Sequence, residues 1–322
     1  MSRSIVTVDI GGTHARFAIA EIDGGRVISL GAATTLRTAD HASFETAWGA
    51  FAAERGALPR DLVMAIAAPT RGEVLRFTNN PWTIRPGELD ATFGLDRHLL
   101  VNDFEAVGHA VAQVDPRYLD HLCGPDAALP EEGTISVLGP GTGLGVSCVW
   151  RAGDAYRVQP TEGGHIDFAP LDTIEDSLLA RLRQRHRRAS IERIVSGPAI
   201  VDIYETLAAI EGRAIQPLGD RAIWDRALGG EDLLAVAALE RFCLSLGSVA
   251  GDLALAQGAG GVVIAGGLGL RLRDQIVRSA FPQRFVAKGR FQALMESIPV
   301  KLLTHPQPGL FGAAAAFARR FA

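Results

Sequence analysis

Short apolar runs closed by glycine recur along the chain. Residues 5–10 (Ile-Val-Thr-Val-Asp-Ile) read as a buried strand, and Gly11-Gly12-Thr13 as the tight turn that ends it. Residues 16–21 read as a second strand, Asp23-Gly24-Gly25 as a hairpin turn, and 26–33 as a third strand. No helical pattern follows the first glycine turn, which argues against a Rossmann unit. Helical spacing takes over at 43–55, with Phe44, Trp48 and Phe51 on one face. Residues 62–67 predict a short buried strand ending at Pro69. Leu99-Leu100-Val101 predicts another, leading through Asn102-Asp103 into a helix over 104–114. Pro116, Gly124, Pro125, Pro130 and Gly133 mark a loop-rich stretch.

The opening pattern then returns. Residues 134–138 predict a strand, 139–143 a glycine turn, 145–150 a strand, Ala152-Gly153-Asp154 a turn, and 156–159 a strand. Placing Gly12-Thr13 on Gly141-Thr142 shifts the chain by 129 positions and brings Gly24 onto Gly153. Such a duplication predicts two related domains facing each other across a cleft. The remainder reads mostly as helix, at 173–186, 198–211, 224–227 and 233–257. Strands interrupt it at 261–265 and 299–303, and a helix over 308–322 follows. The fold class is α/β.

Composition narrows the function. The chain has 322 residues, 48% hydrophobic and 21% charged, which suits globular domains and excludes general disorder. With 32 basic and 36 acidic residues the net charge is −4, so nothing favours nucleic acid as a partner. Cys123, Cys148 and Cys243 are scattered, without a zinc-ligand pattern, and suit a reducing compartment. The first residues run into a strand pattern with no secretory signal, and no apolar run predicts a membrane span, so the cytoplasm is expected. Glycine is enriched, 36 residues or about 11% against an average near 7%.

Those glycines frame the candidate chemistry. Asp9-Ile10-Gly11-Gly12-Thr13 puts a carboxylate at a strand end before a turn whose N–H groups and hydroxyl can donate to phosphates. Asp9 suits Mg²⁺ held through water. The bland alternative is a hairpin turn that merely needs glycine. Gly139 to Gly145 repeats the loop, with Leu138 where the first copy has Asp9, so only one half supplies a metal carboxylate. Asp103 reads either as a helix N-cap or as a general base taking a proton from an attacking hydroxyl. Glu162-Gly163-Gly164-His165 can fork hydrogen bonds onto a polyol, or be a polar turn. Asp167 reads as a cap or turn residue. Glu192 reads as a solvated helix residue before a glycine stop at Gly197 and a restart at Pro198. Gly266-Gly267, closing an apolar strand, lets a flat ring slide along the backbone or lets a helix pack closely.

Together and in this order, these motifs resemble bacterial glucokinases, ATP-dependent hexose kinases of the actin, hexokinase and heat-shock ATPase superfamily. The resemblance runs over essentially the whole chain, including Phe168-Ala169-Pro170 and Pro308-Gly309-Leu310. It implies two ribonuclease-H-like (actin-like ATPase) domains with a cleft between them, a small one of 1–112 with 304–322 and a large one of 113–303. It implies transfer of the γ-phosphoryl group of ATP to the 6-hydroxyl of glucose, the first step of glucose catabolism, with Mg²⁺ as cofactor. Asp103 would be the catalytic base. Asn102, Asp103, Glu162, His165 and Glu192 would bind the sugar. Val8, Asp9, Ile10, Gly11, Gly12, Thr13, Gly141, Thr142, Gly143, Gly266 and Gly267 would bind the nucleotide, with Asp9 toward the metal. The resemblance also implies a homodimer, and the lack of a long apolar run predicts no membrane partner. His14 stands where the family usually has Asn, and Pro140 where a small residue is common and would donate a backbone N–H. Ile166-Asp167-Phe168-Ala169-Pro170 replaces the cysteine-rich zinc motif of a related branch of sugar kinases and repressors. A kinase for another hexose, a sugar-sensing protein without catalysis, and an actin-like or chaperone-like module remain as alternatives.

Overall fold

A computed structural model describes residues 2–68, 70, 72–77 and 80–322; Pro69, the expected end of the 62–67 strand, lies outside them. In chain order the elements begin with β1 (Arg3–Ile10), β2 (His14–Asp23), β3 (Arg26–Leu30), β4 (Thr34–Arg37), α1 (Phe44–Arg55) and β5 (Asp61–Ile66). Next come β6 (Leu75–Arg76), β7 (Thr83–Ile84), α2 (Leu89–Phe93), β8 (Arg97–Asn102), α3 (Asp103–Gln113) and β9 (Leu119–Cys123). The second half holds β10 (Glu132–Pro140), β11 (Leu144–Ala152), β12 (Ala155–Thr161), α4 (Thr173–His186), α5 (Ala199–Ile210), α6 (Asp220–Gly229) and α7 (Leu233–Gln257). It closes with β13 (Ala259–Ile264), α8 (Gly266–Arg271), α9 (Arg273–Arg278), α10 (Phe281–Val286), α11 (Gln292–Glu296), β14 (Val300–Leu303) and α12 (Pro308–Arg320). The chain forms two compact units. Unit one is Met1–Asp115, Val158–Pro160 and His305–Ala322; unit two is Pro116–Arg157 and Thr161–Thr304.

The sheets are copies of one plan. In unit one the order is β3-β2-β1-β5-β8, with β4 also on β2. Strands β1 and β2 are antiparallel, while β1, β5 and β8 run parallel. In unit two the order is β12-β11-β10-β13-β14-β9; β10 and β11 are antiparallel, and β10, β13 and β14 run parallel. This repeated arrangement is that of the actin-like ATPase fold. The second hairpin of each copy, β2–β3 and β11–β12, turns on a left-handed glycine, Gly24 (φ 53°) and Gly153 (φ 60°), where a side chain would be strained.

Both faces of the first sheet's centre are covered, so the central strands β1 and β5 are mostly apolar and buried, while β3, β4 and β8 keep polar, partly exposed positions. Alternation along β5 sends Leu62, Met64 and Ile66 toward Phe17, Phe44, Phe51 and Trp82, and Val63 and Ala65 toward Phe317 and Ala313 of α12. Each fully buried large side chain contributes about 1.5–3 kcal/mol. In unit two the long helix α7 is apolar enough to suggest a membrane span, but 67% of its apolar window is buried inside the unit. It is a core helix, capped by the Asp232 carboxylate and ended by left-handed Gly258.

Three expectations change. The 26–33 strand stops at Leu30, and a further strand not expected from the sequence, β4, follows: the chain bonds Ile19 at Gly31 and returns to pair β4 with the start of β2. The loop-rich stretch hides the edge strand β9, a short run that pairs β14 despite its flanking prolines and glycines. The second glycine turn is shorter than 139–143. Gly139 and Pro140 finish β10, pairing Gly145 and Leu144, so the loop proper is Gly141-Thr142-Gly143.

Candidate active site

Unit one gathers its candidates at one sheet edge. Ile10 lies level with Ile66, and Ile66 with Asn102, across three parallel strands. The Gly11 loop and the Asn102-Asp103 pair therefore leave the sheet at the same end, where such folds place ligands. Val8 and Ile10 turn fully buried side chains into the core, so only their backbones face this edge. The Gly11 N–H donates to the His14 carbonyl (2.9 Å) and closes the hairpin. Thr38 grips the loop from outside, its hydroxyl donating to the Gly12 carbonyl and its N–H to Thr13 (both 3.0 Å). Gly12 and Thr13 themselves are exposed.

Asp9 faces Arg16 across the hairpin at 3.4 Å. Burial raises its pKa, and Arg16 works against that rise. Gly309, in the first turn of α12, lies against the carboxylate so closely that a β-carbon there would strike Asp9. No local pattern signals this contact, although Pro308-Gly309 starts a helix. Farther along α12, Gly312 lets the helix lie on the backbone of α3 at Ala106. One small-residue helix thus supports both Asp9 and the helix that carries Asp103.

The cap of α3 is Asn102, not Asp103. The Asn102 side chain accepts from the N–H groups of Phe104 (2.9 Å) and Glu105 (3.2 Å). Glu105 answers by accepting the Asn102 N–H, which completes a capping box. The Asn-x-x-Glu spacing was the available signal. Burial raises the Glu105 pKa, and the Asn102 N–H opposes it. Asp103 is the first helical residue, half-buried, with one oxygen accepting the Phe104 N–H (2.9 Å). Capping is therefore done by its neighbour.

In unit two the second loop is held from two sides. The Gly141 N–H donates to the Gly143 carbonyl (2.8 Å), and the Gly197 N–H to the Gly141 carbonyl (2.7 Å). Glu192 is no solvated helix residue: its carboxylate accepts the Leu144 N–H at 2.9 Å, and Gly143 leaves it room. Thr142 is exposed. Leu138 lies level with Ile264, and Ala265 donates to the Leu138 carbonyl (2.8 Å), so Gly266-Gly267 leave the sheet beside this loop. A cavity of about 560 Å³ joins Gly141, Thr142 and Gly267 to Pro198, Asp220, Arg221, Trp224, Asp225 and Arg271. The helix α6 residues and Arg271 escaped the sequence reading, having no motif of their own.

Glu162 and His165 flank a 3-10 turn, with His165 Nε2 3.9 Å from Glu162 Oε2 and both side chains exposed. The intervening glycines are steric necessities. A β-carbon at Gly164 would overlap the Leu144 carbonyl, and one at Gly163 would press on Val146. The fork is thereby seated on β11. Asp167 caps no helix: it lies opposite Ser190 in an isolated bridge and pairs with Arg188 at 2.6 Å.

Comparisons with known proteins identify the family. A family model described as glucokinase matches residues 6–320. The glucokinase of Zymomonas mobilis subsp. mobilis is 60% identical over 318 residues, covering 98% of each chain. That of Caulobacter sp. strain K31 is 40% identical, over 96% of this chain and 93% of its own. The crystal structure of a glucokinase from an Antarctic psychrotroph superposes with a TM-score of 0.86 at 33% identity, over 97% of this chain and 98% of that one. At the level of fold alone, a Balamuthia mandrillaris glucokinase in complex with glucose gives a TM-score of 0.78 at 23% identity, over 99% of this chain and 94% of that one. Matched from end to end by that family, the chain belongs to the glucokinases, the ATP-dependent phosphotransferases that phosphorylate glucose.

Proposed function

We propose that Asp103 is the base of the phosphoryl transfer. It accepts the proton of the sugar 6-hydroxyl as that oxygen attacks the γ-phosphorus of ATP, giving glucose 6-phosphate and ADP. The carrying observation is that Asn102 takes the capping duty while Asp103 stands beside it at the sheet edge of the Asp9 loop. Asn102, Glu162, His165 and Glu192 hold the sugar hydroxyls. Each hydroxyl both donates and accepts, so carboxylates, an amide and an imidazole discriminate by leaving a group unpaired when a hydroxyl is missing.

Phosphates are bound by the exposed Gly12 and Thr13 on one loop and by Thr142 and Gly143 on the other. The adenosine occupies the cavity bordered by Gly141 and Gly267, with Gly266 preceding it in the chain. Asp9 fits Mg²⁺: a lone carboxylate, closed in by Gly309 and balanced by Arg16, suits an ion that keeps most of its waters. Bound there, Mg²⁺ supplies charge neutralisation to the phosphate chain. His14 lies at the start of β2 next to the loop and leaves the Asp9–Arg16 pair intact.

The enzyme works in the cytoplasm as a homodimer. The free thiols of Cys123, Cys148 and Cys243 suit a reducing compartment. A coupled ADP-release assay with Mg²⁺-ATP tests the reading, run with glucose, mannose, fructose and N-acetylglucosamine. Strong release with glucose above the others is the expected ranking. Preference for another hexose would move the specificity, and no sugar-dependent release would remove the reading.

A further inference from the structure

Between α4 and Glu192 the chain turns at Arg187. Its φ of 60° is the one left-handed backbone among the described non-glycine residues. A residue with a β-carbon holds that conformation only where its surroundings enforce it. The turn sends Arg188 back across the sugar-facing segment. Its Nε donates to Asp167 Oδ1 and its Nη2 to the His165 carbonyl, both at 2.6 Å. Beside it the two segments pair: the Phe168 N–H donates to the Ala189 carbonyl (3.0 Å), and the Ile191 N–H to the Ile166 carbonyl (2.9 Å). Asp167 lies opposite Ser190 in this pairing.

His165 needs such a restraint. Its side chain is 55% exposed, so packing does little to aim the ring. Its N–H is fixed by the Glu162 carbonyl (2.9 Å) and its carbonyl by Arg188. The Arg188–Asp167 pair is itself exposed, 61% and 74%, and such pairs add little to stability.

We propose that Arg188 is a positioning residue for sugar recognition: it fixes the backbone of His165 and thereby aims the imidazole at a sugar hydroxyl, without touching the sugar. This rests on the reading of His165 as a sugar ligand.

The test is steady-state kinetics of Arg188→Ala, Arg188→Lys, His165→Asn and the Arg188→Ala/His165→Asn double variant, with melting temperatures alongside. Arg188→Ala is expected to raise the KM for glucose by about 5- to 20-fold. The KM for ATP and the kcat stay within about twofold, and the melting temperature within about 2 °C. Lysine, with a compact ammonium in place of the fork, recovers part of the loss. In the His165→Asn background the Arg188→Ala change adds nothing further to the glucose KM, because its effect passes through that ring. A glucose KM raised by His165→Asn but unmoved by Arg188→Ala overturns this inference alone. So do effects that multiply in the double variant, or a parallel rise of both KM values with lost stability. A glucose KM unmoved by His165→Asn overturns the sugar role of His165, and this inference with it.

Discussion

The two glycine loops close the same strand pattern at the same point of the same sheet plan, yet they are built for different work. In the first, the strand before the loop carries Asp9, its carboxylate pinned between Arg16 and Gly309. In the second, the matching position is Leu138, fully buried, and the carboxylate arrives from elsewhere, as Glu192 on the Leu144 N–H. The first loop is tightened by Thr38, in the turn just after β4; the second is tied to the segment after α4 through Gly197. Duplication preserved the scaffold and let the chemistry diverge. Unit one carries Asp9 and Asp103 at its loop end, and unit two carries Glu192 on its loop with a cavity beside it.

The sharpest break in that comparison is at Asp103. Asp103→Asn is expected to lower kcat by about 10²–10⁴-fold, the usual worth of a positioned general base. Folding should be untouched, since Asn102 keeps the cap; a melting curve beside the ADP-release assay checks both. Turnover near normal would strip Asp103 of its role.

Exchanging the two matched positions comes next. Asp9→Leu should cut turnover by roughly 10²-fold and flatten its response to Mg²⁺. Leu138→Asp makes the loops look alike in sequence but puts a carboxylate where exposure is zero. It should destabilise unit two by about 3 kcal/mol or more and create no second cation response. A Leu138→Asp protein as stable as the parent would show that the copies differ less than their burial indicates.

Glycines sharpen the contrast further. Gly312→Ala forces a β-carbon into the Ala106 carbonyl and should cost about 2–3 kcal/mol in urea unfolding, disturbing α3. Gly141→Ala meets nothing within 4 Å and should leave stability within about 0.5 kcal/mol while raising the KM for ATP.

Much of this was legible from local pattern. The duplicated strands, the glycine turns and the long helices show in residue spacing because each depends on neighbours a few positions away. The α/β class followed from that spacing; the family came from the resemblance of the ordered motifs. What spacing missed depends on distant partners. Strand β9 is short, lies among prolines and takes its pairing from β14, far along the chain. The Gly309–Asp9 contact joins the two ends of the sequence. Glu192 looked solvated because only the folded loop reveals the Leu144 N–H that it accepts. Asn102 was the exception: its capping box with Glu105 is local, yet the sequence reading offered the cap to Asp103.

The smallest expected effect separates the units by acid. Burial, aided by Arg319, lowers the pKa of His109 on α3 from 6.5 to about 4. Below pH 6.5 the unfolded chain binds a proton that the folded one refuses until about pH 4. The unfolded state then holds more protons, so stability falls as pH drops through that window. At pH 5 the loss is about 2 kcal/mol, from about 1.4 kcal/mol for each pH unit below 6.5. Unit two answers differently. Burial works to raise Asp172, but the Glu175 N–H, Arg241 and Arg284 outweigh it and lower its pKa below 3.8. Its contribution is present above 3.8 and is lost only as pH falls further. Urea unfolding at pH 7 and pH 5 can follow each unit by its own tryptophans, Trp48 and Trp82 in one and Trp150 and Trp224 in the other. The first pair should lose midpoint between these pH values and the second should hold, and His109→Gln should abolish the difference. Equal losses in both pairs, or a His109→Gln protein with the same acid response, would place the sensitivity outside α3.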